Sequence, residues 1–289
     1  MNKVDFLTNI KEKWFNSDIV SIDHGKIINF NIDVDIGNDC IDSPYLSKPV
    51  DIIRFYLALN SINHQFWHHD EDGNFIRYVH DNNQGALALM AGMKKLLNVK
   101  KGLDNMSHIT SSEFKECFGE MPDSPSRIKI LNQALSDNAK QIAENLWSVS
   151  SNGWSILEAL SISEALPLGY KDEALKKAQL VIHMTASALK IKGYDIKTDL
   201  TCFADYQIPR VLRHLGILVY SPNIAEMVDS SKIIPKDSDE EHAIRAATIL
   251  ACEEICAKIN VNPAVLDYWL WSKRNTAPQP FHLTYTNAY

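Results

Sequence analysis

The chain is poor in the devices that most often mark a nucleotide- or metal-handling protein. Its eleven glycines form neither a G-x-G-x-x-G nor a G-x-x-x-x-G-K-[ST] pattern, and neither G-x-S-x-G nor H-E-x-x-H occurs. The phosphate-cradling loops, the nucleophile elbow and the zinc-protease helix that those strings encode are thereby excluded. Cysteine is scarce and odd in number, with Cys40, Cys117, Cys202, Cys252 and Cys256 scattered through the sequence. Cys252 and Cys256 stand one helical turn apart instead of in C-x-x-C spacing, so buried free thiols are expected and not a disulfide framework or a zinc site. Long apolar runs are missing: segments such as Ile217-Leu218-Val219 are far too short to cross a bilayer, and Met1 to Ile10 lacks a basic start followed by an apolar stretch. The expectation is a cytoplasmic protein with no membrane partner. Positive charge is also in deficit, with 29 Lys and Arg against 36 Asp and Glu for a formal charge of −7. That balance argues against a nucleic-acid polymer as partner, whereas a mononucleotide needs only a local basic pocket. Asn31, Asp33 and Asp35 have the spacing of a calcium loop, but glycine comes one place late at Gly37 and the twelfth position is Asp42 where glutamate is needed, so no calcium is expected.

What is present is an ordinary soluble composition, 45% hydrophobic and 22% charged over 289 residues, enough to bury a full core. Helix starts recur. Thr110 with Glu113 and Ser238 with Glu241 have capping-box spacing, and Ser124-Pro125, Ser221-Pro222 and Asn262-Pro263 each set a capping side chain before proline. Apolar residues repeat at three and four, as in Ile128, Leu131, Leu135, Ala139 and Ile142, or Leu175, Ala178, Ile182, Ala186 and Leu189. The chain therefore reads as mainly α, a single domain over 1–289, with 1–100 as a candidate subdomain that has short strands within Ile19 to Asp33. Asp72-Gly73 between Phe66–Asp70 and Phe75–Val79 predicts a small β-hairpin near residues 66–79. Val228 to Glu240 is the best place for a long exposed loop.

The segment with most chemistry in it is Phe203-Ala204-Asp205-Tyr206-Gln207-Ile208-Pro209-Arg210, a carboxylate between aromatic residues just before a helix. Pro209 suits the first helical turn, Ile208, Leu212 and Leu215 share a face, and Gly216 ends the run. Asp205 thus sits at the positive end of a helix, where it serves either as a structural cap or as an ionised catalytic carboxylate. Phe66, Trp67, Phe203, Tyr206, Tyr268, Trp269 and Trp271 supply rings for a planar heterocycle, most of them as plain core and two or three at a ligand. A helix would turn Trp269 and Trp271 in different directions, so at most one of the two faces a site. A rival group is His64, His68, His69 and Asp70, with His80-Asp81 nearby. A His-Asp pair on a helix can hold a metal for phosphohydrolysis, but the Asp72-Gly73 turn places this pair on a hairpin.

From Thr198 to Arg245 the sequence resembles the queuosine salvage family. The resemblance is carried by Leu200-Thr201-Cys202-Phe203-Ala204-Asp205-Tyr206, Val211-Leu212-Arg213-His214-Leu215-Gly216, Tyr220-Ser221 and Ile244-Arg245-Ala246. Weaker similarity extends over most of the chain through Leu59-Asn60, Phe66-Trp67, Ile109 to Phe114, Lys176 to Gln179 and Asp267 to Trp271. Members of that family are queuosine 5'-phosphate N-glycosylase/hydrolases, which release the deazapurine base queuine from ribose 5-phosphate. The resemblance implies a helical core similar to that of the helix-hairpin-helix DNA glycosylases, no cofactor and no metal, a small-molecule nucleotide as partner, and Asp205 of the F-A-D-Y motif as catalytic residue. The family-like segments also supply a substrate-binding set: Phe66, Trp67, Phe203, Tyr206 and Trp269 for the base, Lys177, Arg210, Arg213 and Arg245 as candidate cations for a 5'-phosphate, with His214 and Asp267 beside them. Two departures stand out. The family commonly reads D-Y-R-x-P-Q where this chain exchanges the polar and basic positions at Gln207 and Arg210, and Pro280 to Thr286 only partly matches a basic H-x-T-R-T ending. The alternatives are a metal-dependent helical phosphohydrolase using His68, His69 and Asp70, and a non-catalytic nucleotide-binding protein.

Overall fold

The computed structural model describes residues 1–32, 41 and 43–289, and among these the regular structure is fourteen α-helices, three single-turn 3-10 helices and eight strands of two or three residues. Asp33, Asp35, Gly37, Cys40 and Asp42, on which the calcium and part of the cysteine reading fall, lie outside the described residues. The chain divides into two compact units, one of Met1–Asn38, Asp199–Asn287 and Tyr289, the other of Asp39–Thr198 and Ala288. Among the described residues no helix is long and apolar enough to cross a membrane.

In the unit of residues 39–198 the helix Pro49–Ser61 is buried on nearly every side, including Phe55 to Ser61 without a break, because helices Asp137–Ser148 and Lys176–Ile191 pack on it. Thr110 and Glu113 form the full reciprocal box at the start of Ser111–Phe118. That helix packs on Ala86–Lys100 at Gly92, where an added Cβ would lie 2.4 Å from Phe118, so the close approach requires glycine. The predicted hairpin is present, with Trp67–His69 antiparallel to Phe75–Arg77 and Gly73 at φ +81° in the turn. Two expectations need correction. The periodic run from Ile128 to Ile142 is not continuous: Ser124–Ala134 ends and Asp137–Ser148 begins around Ser136, whose hydroxyl and N–H both bond Gln133 O. Ser124 is also no cap, since Asp123 holds that place and the Ser124 hydroxyl turns back to Met121 O.

In the other unit the central element is Asp239–Ile259, against which Lys3–Trp14, Gln207–His214 and Pro263–Ser272 pack. Strand Val20–Ile22 pairs antiparallel with Leu218–Tyr220, which accounts for the strand signal after Ile19. Asn262 caps its helix through Ala264 N–H, and Ser221 takes the cap position without a side-chain bond. The expected loop from Val228 to Glu240 is shorter and less exposed. Val228 closes the helix Pro222–Asp229, and Ile234 is fully buried with its N–H on Leu283 O at 2.8 Å. The cysteines Cys117, Cys202, Cys252 and Cys256 are buried free thiols.

Candidate active site

The irregular segment before helix Gln207–His214 is held residue by residue. Phe203 N–H donates to Asp267 Oδ1 at 2.7 Å, Ala204 O accepts from Arg245 Nε at 3.2 Å, and Cys202 Sγ lies 3.8 Å from Thr248 O. Asp205 Oδ1 then accepts from Gln207 N–H at 2.6 Å and Ile208 N–H at 3.1 Å, satisfying two donors that the helix start leaves open. Oδ2 has no hydrogen-bond partner among the described residues. Asp205 is half-buried, so one oxygen anchors the side chain while the other makes no such bond.

A ring cluster adjoins this segment. Tyr206 lies 4.6 Å from Phe281 and 6.5 Å from Tyr289, centroid to centroid, and His282 Nε2 is 3.2 Å from the Tyr289 hydroxyl. Arg210 fixes the approach of this C-terminal stretch by donating to the carbonyls of Ala277 and Gln279. The Arg245 guanidinium sits 4.5 Å from the Tyr289 ring and 5.8 Å from that of Trp14, with Glu241, one turn earlier, 4.0 Å away. Burial, then the Glu241 carboxylate, drives the Tyr289 phenol well above its usual range. Burial and the Arg245 charge push His282 down to about 3, so its imidazole is neutral.

The unit of residues 39–198 holds a second polar cluster. Lys177 is 1% exposed, its Nζ bonded to Ser61 O at 2.7 Å and 3.3 Å from His64 Nδ1. Burial holds this amine well below its usual range, and the charges of Lys176 and Arg127 add to the effect. His64 is depressed likewise, by burial first and then by Arg127, Lys177 and Lys176. Phe66 lies 5.7 Å from the Arg127 guanidinium, and Trp67 stacks on Phe75 at 5.8 Å.

The expected site residues thus form two sets. Asp205, Phe203, Tyr206, Arg210, Arg245 and Asp267 are brought together around the 203–206 segment. His214 is exposed at the end of its helix, and Trp269 meets Phe30 at 5.6 Å and Lys273 at 5.2 Å. Phe66, Trp67 and Lys177 belong to the other unit and share the surroundings of His64 and Arg127. The histidine pair of the hairpin does not converge: His68 and His69 are neighbours on a strand and point to opposite faces, while Asp70 Oδ1 accepts from Asp72 and Asn74 N–H within the turn. Asp237, Glu241 and His242 bring donor atoms within 4.8 Å of one another. Within that group Glu241 accepts from Asp237 N–H and the His242 ring stacks on Trp14 at 4.3 Å.

Sequence reasoning placed none of Arg127, Glu241, Phe281, His282 and Tyr289 in these two clusters. Only Glu241 had a usable signal, lying four residues before Arg245 on one helix.

The buried neutral histidines have a consequence for stability. His64 and His282 hold fewer protons folded than unfolded below their ordinary value of 6.5, so stability rises with pH there and is lost as pH falls from about 6.5. Each is expected to cost up to about 1.4 kcal/mol per pH unit in that window. Urea unfolding at pH 7, 6 and 5 checks this, and a His282→Phe variant should show a flatter profile than the parent; an equally steep one would remove His282 from the account.

Comparison with known proteins matches residues 44–287 to the family described as queuosine salvage protein. The chain is 30% identical over 265 residues to a queuosine 5'-phosphate N-glycosylase/hydrolase of Sphaerobacter thermophilus, covering 82% of this chain and 81% of that one. It is 26% identical over 272 residues to the protein of that name in Mus musculus, with 80% of each chain covered, and 25% identical over 263 residues to that of Dictyostelium discoideum, with 82% and 78% covered.

Proposed function

The chain belongs to the queuosine salvage protein family, and we propose that it is an N-glycosidase that hydrolyses queuosine 5'-phosphate to queuine and ribose 5-phosphate, feeding queuine back to tRNA modification. The observation that carries the mechanism is the half-anchored carboxylate of Asp205. Breaking the bond between C1' and the base nitrogen leaves positive charge on the sugar, and an ionised carboxylate stabilises that charge as it develops. Water supplies hydroxide to C1' and a proton to the departing base, and the Asp205 Oδ2 atom orients or deprotonates that water. Anchoring through Oδ1 keeps the carboxylate from reorganising during the step.

Tyr206, half-buried against Phe281, is the ring next to the carboxylate and the group assigned to the planar base. No cofactor enters this reaction. The family match runs through both compact units, which supports treating 1–289 as one functional domain. The reading carries with it a core like that of the helix-hairpin-helix DNA glycosylases and a cytoplasmic location, both part of the proposal, and the net charge of −7 favours a mononucleotide over a nucleic-acid polymer.

The test is incubation of the purified protein with queuosine 5'-phosphate and with queuosine, followed by separation of the products. Queuine and ribose 5-phosphate should appear in equal amounts from the nucleotide. Release of base from neither substrate would remove the reading.

A further inference from the structure

Arg245 has the place of a structural charge. It is 3% exposed, its Nε bonds the carbonyl of Ala204 directly before Asp205, and its guanidinium lies between the rings of Tyr289 and Trp14. Glu241, 1% exposed, balances its charge from one helical turn away. Tyr289 is 2% exposed and held at both ends, its ring against Arg245 and its hydroxyl on His282 Nε2. A segment without regular secondary structure has few bonds that define it, and the peptide between Ala204 and Asp205 is one whose carbonyl is fixed from outside the segment.

We propose that Arg245 and Tyr289 are positioning residues for Asp205. The Tyr289 ring fixes the guanidinium plane, the guanidinium fixes the Ala204 carbonyl, and that peptide sets the direction of the carboxylate. The chain of contacts is short, and every member is buried before Asp205 is reached. This inference rests on the assignment of Asp205 as the catalytic carboxylate. It removes Arg245 from the cations that would hold the substrate phosphate, since its guanidinium is engaged by a carbonyl, a carboxylate and two rings. An orientation error of about 1 Å at a reacting group costs on the order of a hundredfold in rate, so the effect belongs in kcat and not in substrate affinity.

The test is kinetic and uses the whole chain with queuosine 5'-phosphate. Tyr289→Leu and Arg245→Lys are each expected to lower kcat roughly 10- to 100-fold with KM within about threefold of the parent. Tyr289→Phe, which keeps the ring, should recover most of the loss. In the Asp205→Asn background either substitution should cost less than about threefold more, because the group it orients is already gone. Melting temperatures identify any variant that has not folded; should Tyr289→Leu be one, Arg245→Lys on both backgrounds supplies the comparison. Parent-like kcat in folded Tyr289→Leu and Arg245→Lys overturns the inference. So does a raised KM at unchanged kcat, which marks a substrate contact, or an equal loss on both backgrounds, which marks an independent effect. If Asp205→Asn itself turns over like the parent, it is the assignment of Asp205 that fails, and the two failures are told apart.

Discussion

Asp205→Asn is expected to leave the fold intact and to lower turnover roughly a hundred- to ten-thousand-fold. The asparagine oxygen can accept from Gln207 and Ile208 N–H as Asp205 Oδ1 does at 2.6 and 3.1 Å, so the helix start keeps its cap. Asparagine and aspartate are about equal in that role, and losing a charge from the helix N-terminus costs only about 0.3–1 kcal/mol. The other oxygen is replaced by an amide nitrogen, which carries no charge and accepts no proton. A sugar cation forming beside it therefore loses its electrostatic partner, and an attacking water loses its acceptor. The prediction separates the anchoring role of one oxygen from the catalytic role proposed for the other. Melting temperature and ligand affinity measured on the preparation used for kinetics make the separation visible. A folded Asp205→Asn enzyme nearly as fast as the parent would reduce Asp205 to a cap.

The sequence left Asp205 open between cap and catalyst, and the two readings call on different atoms: Oδ1 takes the Gln207 and Ile208 N–H groups, and the proposed chemistry needs Oδ2. Local signals were legible where neighbours in sequence are the partners. The Thr110–Glu113 box, the Asn262 cap and the Asp72-Gly73 hairpin all depend on residues a few positions apart, and all are present. Legibility stops where a distant group competes. Ser238 and Glu241 have capping-box spacing, and Ser238 does accept from Glu241 N–H, but the Glu241 carboxylate is drawn instead to Asp237 N–H and to the buried Arg245. The periodic run through Ser136 failed because apolar spacing survives a break when the chain resumes in phase, and nothing in the pattern records the break. The stretch Phe281 to Tyr289 gave little because its contacts depend on Tyr206 and Arg245, far back in the chain. Arg127 was silent for another reason. Its partners are backbone carbonyls, which have no residue type to read.

Arg127 should nonetheless give the largest loss of stability of any single charged residue in its unit. The side chain is 1% exposed and donates to four carbonyls, those of Pro122 at 2.6 Å, of His64 and Gln65 at 2.8 Å each, and of Ile62. Three of these lie just beyond the helix Pro49–Ser61, where a helix end leaves acceptors that its own ladder cannot satisfy. The same stretch leads through Gln65, whose φ of +32° is unusual for a residue with a side chain, into the hairpin bearing Phe66 and Trp67. One planar fork of donors thus ends a helix and sets the entry to a strand. Lysine cannot imitate it, because three donors on one nitrogen do not span that set of acceptors. Alanine leaves the carbonyls buried without partners, at about 1–3 kcal/mol for each one that water cannot reach. With four carbonyls involved and some of them reachable by water after truncation, a loss of about 3–5 kcal/mol is a large part of the roughly 5–15 kcal/mol by which a folded protein is stable. Arg127→Lys is therefore expected to lose at least about 2 kcal/mol and Arg127→Ala about 3–5 kcal/mol. Urea unfolding gives the size of the loss, and amide hydrogen exchange over residues 62–69 gives its place. A loss under about 1 kcal/mol in Arg127→Ala, with protection unchanged over that stretch, would show that the helix end and the hairpin hold their geometry without the guanidinium.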